Sequence, residues 1–279
     1  MYSTSHGNLP GDEEVLWRYL SFSKFVDLLQ RGKLFFCRLD RLRLVDSHEY
    51  SHISPIFYPR DPASFAPGLT PELRSQPEEL QRAILEDQQR LRTQMENHHK
   101  RTVARELRNI AAHAVCCWRH DSAESHAMWQ IYAPTAEGIA IRTTVGRLKA
   151  ALVDKRTIDL GIVSYYDSTK NFLIETSDIG QRIVEVGGYT NIDQCLHKQP
   201  WYAYENEIRA LLVSDNFPAP LEDLSLYVDV DLNILIEAIV LNPAAASWFE
   251  NVVRGVTGPF AERIRRSSMA SPLPVYRPF

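Results

Sequence analysis

Trp201-Tyr202-Ala203-Tyr204-Glu205-Asn206-Glu207-Ile208-Arg209 runs straight into Ala210-Leu211-Leu212-Val213. The second half is a short apolar run, the pattern of a strand buried within a sheet. The first half sets aromatics and a Glu-x-Glu pair at its mouth. Side chains alternate along a strand, so Glu205, Glu207 and Arg209 are expected on one face and Ile208 on the other. A carboxylate pair so placed reads as a catalytic or ligand-gripping device, or as a solvated strand face. A third reading joins Glu205, Glu207, Arg209, Arg38 and Asp40 in a buried ion network. That reading expects loss of Glu207 to unfold the chain rather than silence it.

Working outward, Val15 to Leu20 reads as a strand or as the lead-in to a helix. Ser21 or Ser23 then caps a helix with Phe22, Phe25, Val26, Leu28 and Leu29 at helical spacing, and Arg31-Gly32 ends it. Lys33 to Arg38 is apolar enough for a second strand. Residues 39–58 form a polar loop with Asp46, His48, Glu49 and His52, followed by a proline-rich extended segment. Residues 71–110 carry apolar side chains at three- to four-residue steps, predicting a long helical insertion broken near Asn97. Strands follow at Ala114–Trp118, Gly138–Arg142 and Ile158–Tyr166, the last with Gly161 as a bulge. Helices are expected over Ser125–Tyr132, Arg147–Leu152 and residues 170–186. After the Glu-x-Glu strand come strands near Leu226–Val230 and Leu235–Leu241, then a helix over residues 246–254. Interleaved elements without strict β-α-β alternation predict an α+β fold. It comprises a single globular domain over residues 14–279, behind a flexible tail of residues 1–13. Its core is a mixed, largely antiparallel sheet flanked by helices.

The chain has 279 residues, 44% of them hydrophobic, enough for a substantial core. With 31 basic and 35 acidic residues its net charge is −4, so no global field draws it to nucleic acid or anionic lipid. The most basic run, His98-His99-Lys100-Arg101 with Arg105 and Arg108, reads as a solvated helix face. Cys116 and Cys117 are adjacent, which argues against a disulfide framework. No apolar run is long enough to span a bilayer, and the first residues lack the apolar core of a signal peptide. A cytoplasmic location is expected, with no membrane contact. Neither a glycine-rich dinucleotide fingerprint nor a phosphate-binding loop is present.

Four residue groups resemble the bacterial family called domain of unknown function 2971. They are Leu16–Ser21 with Leu34–Asp40, then Asp46-Ser47-His48-Glu49, then Cys117-Trp118 through Met128–Ala133 and Gly138–Ile141. The fourth is Lys198 with Trp201, Tyr204, Glu205, Glu207 and Arg209. The resemblance covers about residues 15–245 around the insertion and departs at Leu42–Val45. The family name implies no activity; the family's type suggests a place in phage defence. The order of elements is also similar to that of ADP-ribosyltransferases, with a late Glu-x-Glu on a strand. That resemblance implies NAD as co-substrate, bound by Arg18, Tyr19, Trp129, Tyr132 and Arg38. Glu207 would stabilise the oxocarbenium-like transition state and Glu205 would activate the acceptor. The acceptor would be an unidentified macromolecule, or water in the case of NAD hydrolysis. The serine-threonine-serine motif of many such enzymes is missing.

Each residue also has a plainer role. Arg18 suits an ion pair with Asp40, and Trp129 and Tyr132, three apart on a helix, suit the core. Two rival functions stay open. One is a non-enzymatic ligand-sensing or protein-interaction module docking through the 71–110 helix. The other is a metal-dependent hydrolase or nuclease using Asp46, Glu49 and Glu205, although no metal site is expected.

Overall fold

The computed structural model describes residues 2–6, 9–44, 70–165, 172–177, 180–185, 195–213 and 225–270. Strand β1 is Tyr2–His6 and β2 is Val15–Leu20; helix α1 is Phe22–Arg31 and β3 is Lys33–Arg38. Ser21 caps α1 by accepting from the Lys24 N–H, and Gly32 ends it at φ 64°, a left-handed conformation that glycine adopts without strain. Helices α2 (Leu39–Leu42), α3 (Pro71–Arg74) and α4 (Glu78–Ala112) follow. Then come β4 (His113–His120), α5 (His126–Tyr132), β5 (Ile139–Thr144) and α6 (Val145–Ala151). The next strands are β6 (Ile158–Ile162), β7 (Ser164–Tyr165), β8 (Phe172–Ser177), β9 (Gly180–Glu185), β10 (His197–Lys198), β11 (Glu207–Val213) and β12 (Ser225–Asp229). Helix α7 (Leu232–Leu235), strand β13 (Ala238–Leu241), helix α8 (Ser247–Thr257) and strand β14 (Ile264–Arg266) close the order.

The fold is α+β, built on a mixed, mostly antiparallel sheet in the order β1-β6-β11-β4-β2-β5-β13-β14. The sheet forks at β4. One end of this eight-residue strand pairs with β2 (Trp17 opposite Arg119), the other with β3 (Cys37 opposite Val115), and β12 extends the β3 branch. Alternation sorts side chains onto two faces. Leu16, Phe36, Trp118, Ile141, Ile208 and Ala210 meet α1, α6, α7 and α8 in the largest core cluster. On the other face, Trp17, Tyr19 and Ala140 pack on α5, while Val115 and Leu211 pack on α2 and the end of α4. Helices cover both faces, which is why β4 and β11 read as continuous apolar runs rather than alternating ones.

Four expectations are corrected. The tail supplies a strand: β1 pairs in parallel with β6. The helix α4 runs unbroken through Asn97 for 35 residues; the interruption comes earlier, between α3 and α4, where Pro77 lacks the N–H to continue α3. Of the residues read as helical near 170–186, Phe172–Ser177 and Gly180–Glu185 pair as the antiparallel strands β8 and β9 instead. Their β-branched content, Ile174, Thr176, Ile183 and Val184, fits a pleated ribbon better than a helix. Gly161 is no bulge: β6 and β11 stay in register through it, and the irregularity falls in β1 between Ser3 and His6. Gly161 has a packing reason, because a Cβ there would collide with the buried Leu196 side chain.

Candidate functional site

The Glu-x-Glu pair converges by a different route from strand alternation. Pro200–Glu205 is a 3₁₀ helix, ended by Asn206 in the left-handed region at φ 42°. Only Glu207 and Arg209 lie on the strand. Asparagine tolerates this backbone better than most residues. Here it is also held in place: its side chain donates to the His120 carbonyl, and the His120 N–H donates to the Asn206 carbonyl at 2.8 Å. The turn swings Glu205 back beside Glu207.

Both carboxylates are buried, Glu205 2% and Glu207 4% exposed, and so are their cationic neighbours Lys198 and Arg209. The Lys198 ammonium pairs with Glu205 and lies 3.5 Å from Glu207. Arg209 Nε donates to Glu207 Oε2 at 2.9 Å, and its Nη1 donates to the Cys195 carbonyl at 2.6 Å. The Tyr132 hydroxyl donates to Glu205 Oε1 at 2.7 Å. The Glu207 N–H donates to the Tyr165 hydroxyl at 2.8 Å, tying β11 to β7. Two positive and two negative groups thus sit in one desolvated cluster.

The environment drives the two carboxylates apart. Burial and the neighbouring charge of Glu207 raise Glu205 above the ordinary carboxylate value, against the opposing pull of Lys198. Burial also pushes Glu207 up, but the charges of Arg209 and Lys198 outweigh it and hold Glu207 low. Glu205 is therefore the readier proton carrier and Glu207 the ionised partner. One carboxyl with a raised proton affinity beside one held ionised is an acid-base arrangement. Burial first, then Glu205, pushes the Tyr132 hydroxyl up, so it acts as a hydrogen-bond donor.

Helix α5 sets Tyr132. Ser125 caps it, and Trp129 is fully buried, packed edge-on against Tyr19 at 4.9 Å with its Nε1 donating to Glu124 at 3.1 Å. Tyr132 ends the helix as a partly exposed residue, 42% accessible, while its hydroxyl reaches Glu205. Trp201 and Tyr204 stand at the surface too, three apart on the 3₁₀ helix, which places them on one face. An exposed aromatic rim thus borders a buried carboxylate pair.

The structure gathers Tyr132, Glu205 and Glu207, and it places the other proposed ligand contacts elsewhere. Arg18 lies on the opposite face of the sheet, in the fork, and does not meet Asp40. Its guanidinium donates to the Phe35 carbonyl at 3.1 Å, to the Cys117 carbonyl at 3.4 Å and to the Cys116 thiol. It supplies donors where β2 and β3 diverge from β4. Arg38 forms a fork with Asp40 at 3.0 and 2.8 Å, apart from the Glu207 cluster. Tyr19 is buried, its hydroxyl accepting the Ser125 N–H at 2.8 Å and pushed up to about 12 by burial. Trp129 belongs to the core. The sequence marks Lys198, Trp201 and Tyr204 only as carriers of the family resemblance, with no part in the site, and does not mark Tyr165. The three-residue spacing of Trp201 and Tyr204 was the available signal for the rim; Lys198 and Tyr165 arrive through the β7–β10 pairing.

Asp46, His48, Glu49 and His52 lie outside the described residues. Among the described residues no group of three or more His, Cys, Asp or Glu side chains is placed to hold a metal ion. No helix among them is long and apolar enough to cross a membrane. Compared with known proteins, the chain matches no family model, no curated protein and no solved structure. Its functional reading rests on its own residues.

Proposed function

We propose that this chain is an ADP-ribosyltransferase-like enzyme that binds NAD against the aromatic rim and breaks its glycosidic bond. The observation that carries this reading is the Glu205–Glu207 pair, one carboxyl raised and one lowered, bordered by Tyr132, Trp201 and Tyr204. Nicotinamide is a flat cationic ring in NAD, suited to stacking on exposed aromatics. The bond between its ring nitrogen and the anomeric carbon breaks, and nicotinamide leaves with the electron pair. Positive charge then grows on the ribose, where the field of Glu207 stabilises it. A ribose hydroxyl that replaces the Tyr132 hydroxyl on Glu205 brings the sugar to the pair. The nucleophile, a macromolecular acceptor or water, adds to the anomeric carbon as its proton passes to the Glu205 carboxylate, whose raised proton affinity suits it as the base. The four free thiols support a reducing, cytoplasmic setting.

A second reading has its own observation. Lys198 and Arg209 compensate both carboxylates within a buried cluster, as a purely structural network would. The protein would then be a ligand-sensing or interaction module.

Glu205→Gln and Glu207→Gln separate the two. Glutamine mimics the protonated form towards which Glu205 leans, so Glu205→Gln should keep its fold and lose NAD turnover. Glu207→Gln removes a charge from a buried ion pair and should lose about 3–5 kcal/mol of stability. The assay is nicotinamide release and label transfer from NAD, with circular dichroism melts of each variant. A well-folded wild type without turnover, alone and with lysate, would defeat the enzymatic reading.

A further inference from the structure

On the sheet face opposite the carboxylates, two arginines meet. Arg147 on α6 donates through Nη2 to the carbonyls of Asn233 and Ile236 at 3.2 and 3.3 Å. Arg263, at the end of the 3₁₀ helix Gly258–Arg263, donates through Nη1 to the same two oxygens at 2.9 and 2.5 Å. Sharing both acceptors puts the two nitrogens within about 6 Å of each other. Arg263 is further fixed over the Phe260 ring at 5.3 Å.

Some other arginines have counter-ions, whereas Arg265 donates, among the described residues, only to the Glu262 and Ile264 carbonyls. Arg142 pairs with Glu237, and Arg254 and Arg266 both pair with Glu250. Arg147 and Arg263 form no ion pair with a carboxylate among the described residues. Helix α7, whose last carbonyls they hold, is a single turn, too short for its dipole to offset two cations. Each guanidinium has five N–H donors in a rigid plane, and only one nitrogen of each is engaged with these carbonyls. Arg147 Nε is buried without a partner.

The geometry points to an oxyanion site formed by Arg147 and Arg263, taking a phosphate group. A tetrahedral oxyanion offers separate oxygens to both guanidinium planes, spans their separation and cancels the like-charge repulsion. The phosphate is free or carried by a nucleotide; the chemistry at the arginines is the same. The site is distinct from the NAD reading and stands or falls without it.

The test is titration of the isotope-labelled full chain with inorganic phosphate and, separately, with ADP, following the backbone amides of residues 233–237. The expected result is a saturable shift of those amides by phosphate in the millimolar range. A melting temperature that rises with phosphate but not with chloride at equal ionic strength should accompany it. Tighter binding of ADP at the same amides names a nucleotide as the source; equal or weaker binding names free phosphate. Arg263→Gln should bind about tenfold more weakly, as loss of a charged hydrogen bond implies. Arg263→Lys, which keeps the charge, should retain part of the affinity and controls for folding. Absence of a saturable shift in the wild type, or an unchanged affinity in a folded Arg263→Gln, would overturn the site.

Discussion

Asn206 decides whether Glu205 belongs to the site. Its left-handed backbone joins the 3₁₀ helix to β11, and that turn rather than strand alternation brings the carboxylates together. Glycine reaches the same backbone freely, so Asn206→Gly should keep the turn and lose only the bond to the His120 carbonyl. Asn206→Val puts a β-branched side chain where it clashes with its own backbone, at a cost of about 1–2 kcal/mol. Urea melts of both variants check the difference. The Glu205 carboxyl resonance should lose its raised titration in the valine variant and keep it in the glycine variant. Much of this was out of reach in the sequence. The pairing of Glu207 with Arg209 follows from alternation, and the buried network was foreseeable from charges flanking an apolar run. The Tyr132–Glu205 bond spans 73 positions and arises only from tertiary packing. The left-handed turn at Asn206 overrides the periodicity that a strand reading assumes.

Elements were legible where local signals agree. Helix α1 has a serine cap, a helical apolar stripe and a closing glycine, and all three hold. The β8 and β9 segments read as helix because short apolar segments carry both periods, and strand pairing decides between them. The fork between β2 and β3 left no mark in either strand's own pattern, yet it explains Arg18. A planar guanidinium answers two backbone carbonyls on different strands with two separate nitrogens, where an ammonium offers one. Arg18→Lys should therefore cost about 1 kcal/mol, the net worth of an ordinary hydrogen bond, because the Cys117 contact is part-buried and the Phe35 contact exposed. It should leave NAD turnover per folded molecule unchanged, because Arg18 lies across the sheet from Glu205. A thermal melt paired with a rate measurement decides: an unchanged melt with lost turnover would return Arg18 to the binding site.

Across the whole molecule, buried carboxylates of opposite tendency set the response to pH. Asp154 is buried and held well below the ordinary value, chiefly by hydrogen bonds from the Arg156 fork at 2.9 and 2.8 Å. It also accepts the Arg156 and Asp229 N–H groups, so it locks the end of β12 to the loop before β6. Glu207 is lowered too, by Arg209 and Lys198 against its burial. A depressed carboxylate stabilises the fold fully above its unfolded value near 4, and that contribution is lost as pH falls through the folded value. Glu205 is raised, so its sign is opposite. Its contribution is full below the unfolded value and drains away as pH rises through the folded one, because the unfolded chain gives up the proton first. Denaturant melts of wild type, Glu205→Gln and Asp154→Asn from acid to neutral pH should resolve both signs. The stability of wild type relative to Glu205→Gln should fall as pH climbs from about 4 towards neutrality. Its advantage over Asp154→Asn should shrink on acidification below about 4. A Glu205→Gln difference that stays flat over that climb would mean the Glu205 proton is no more tightly held in the fold than in the unfolded chain. The acid-base pairing of Glu205 with Glu207 would then lose its physical basis.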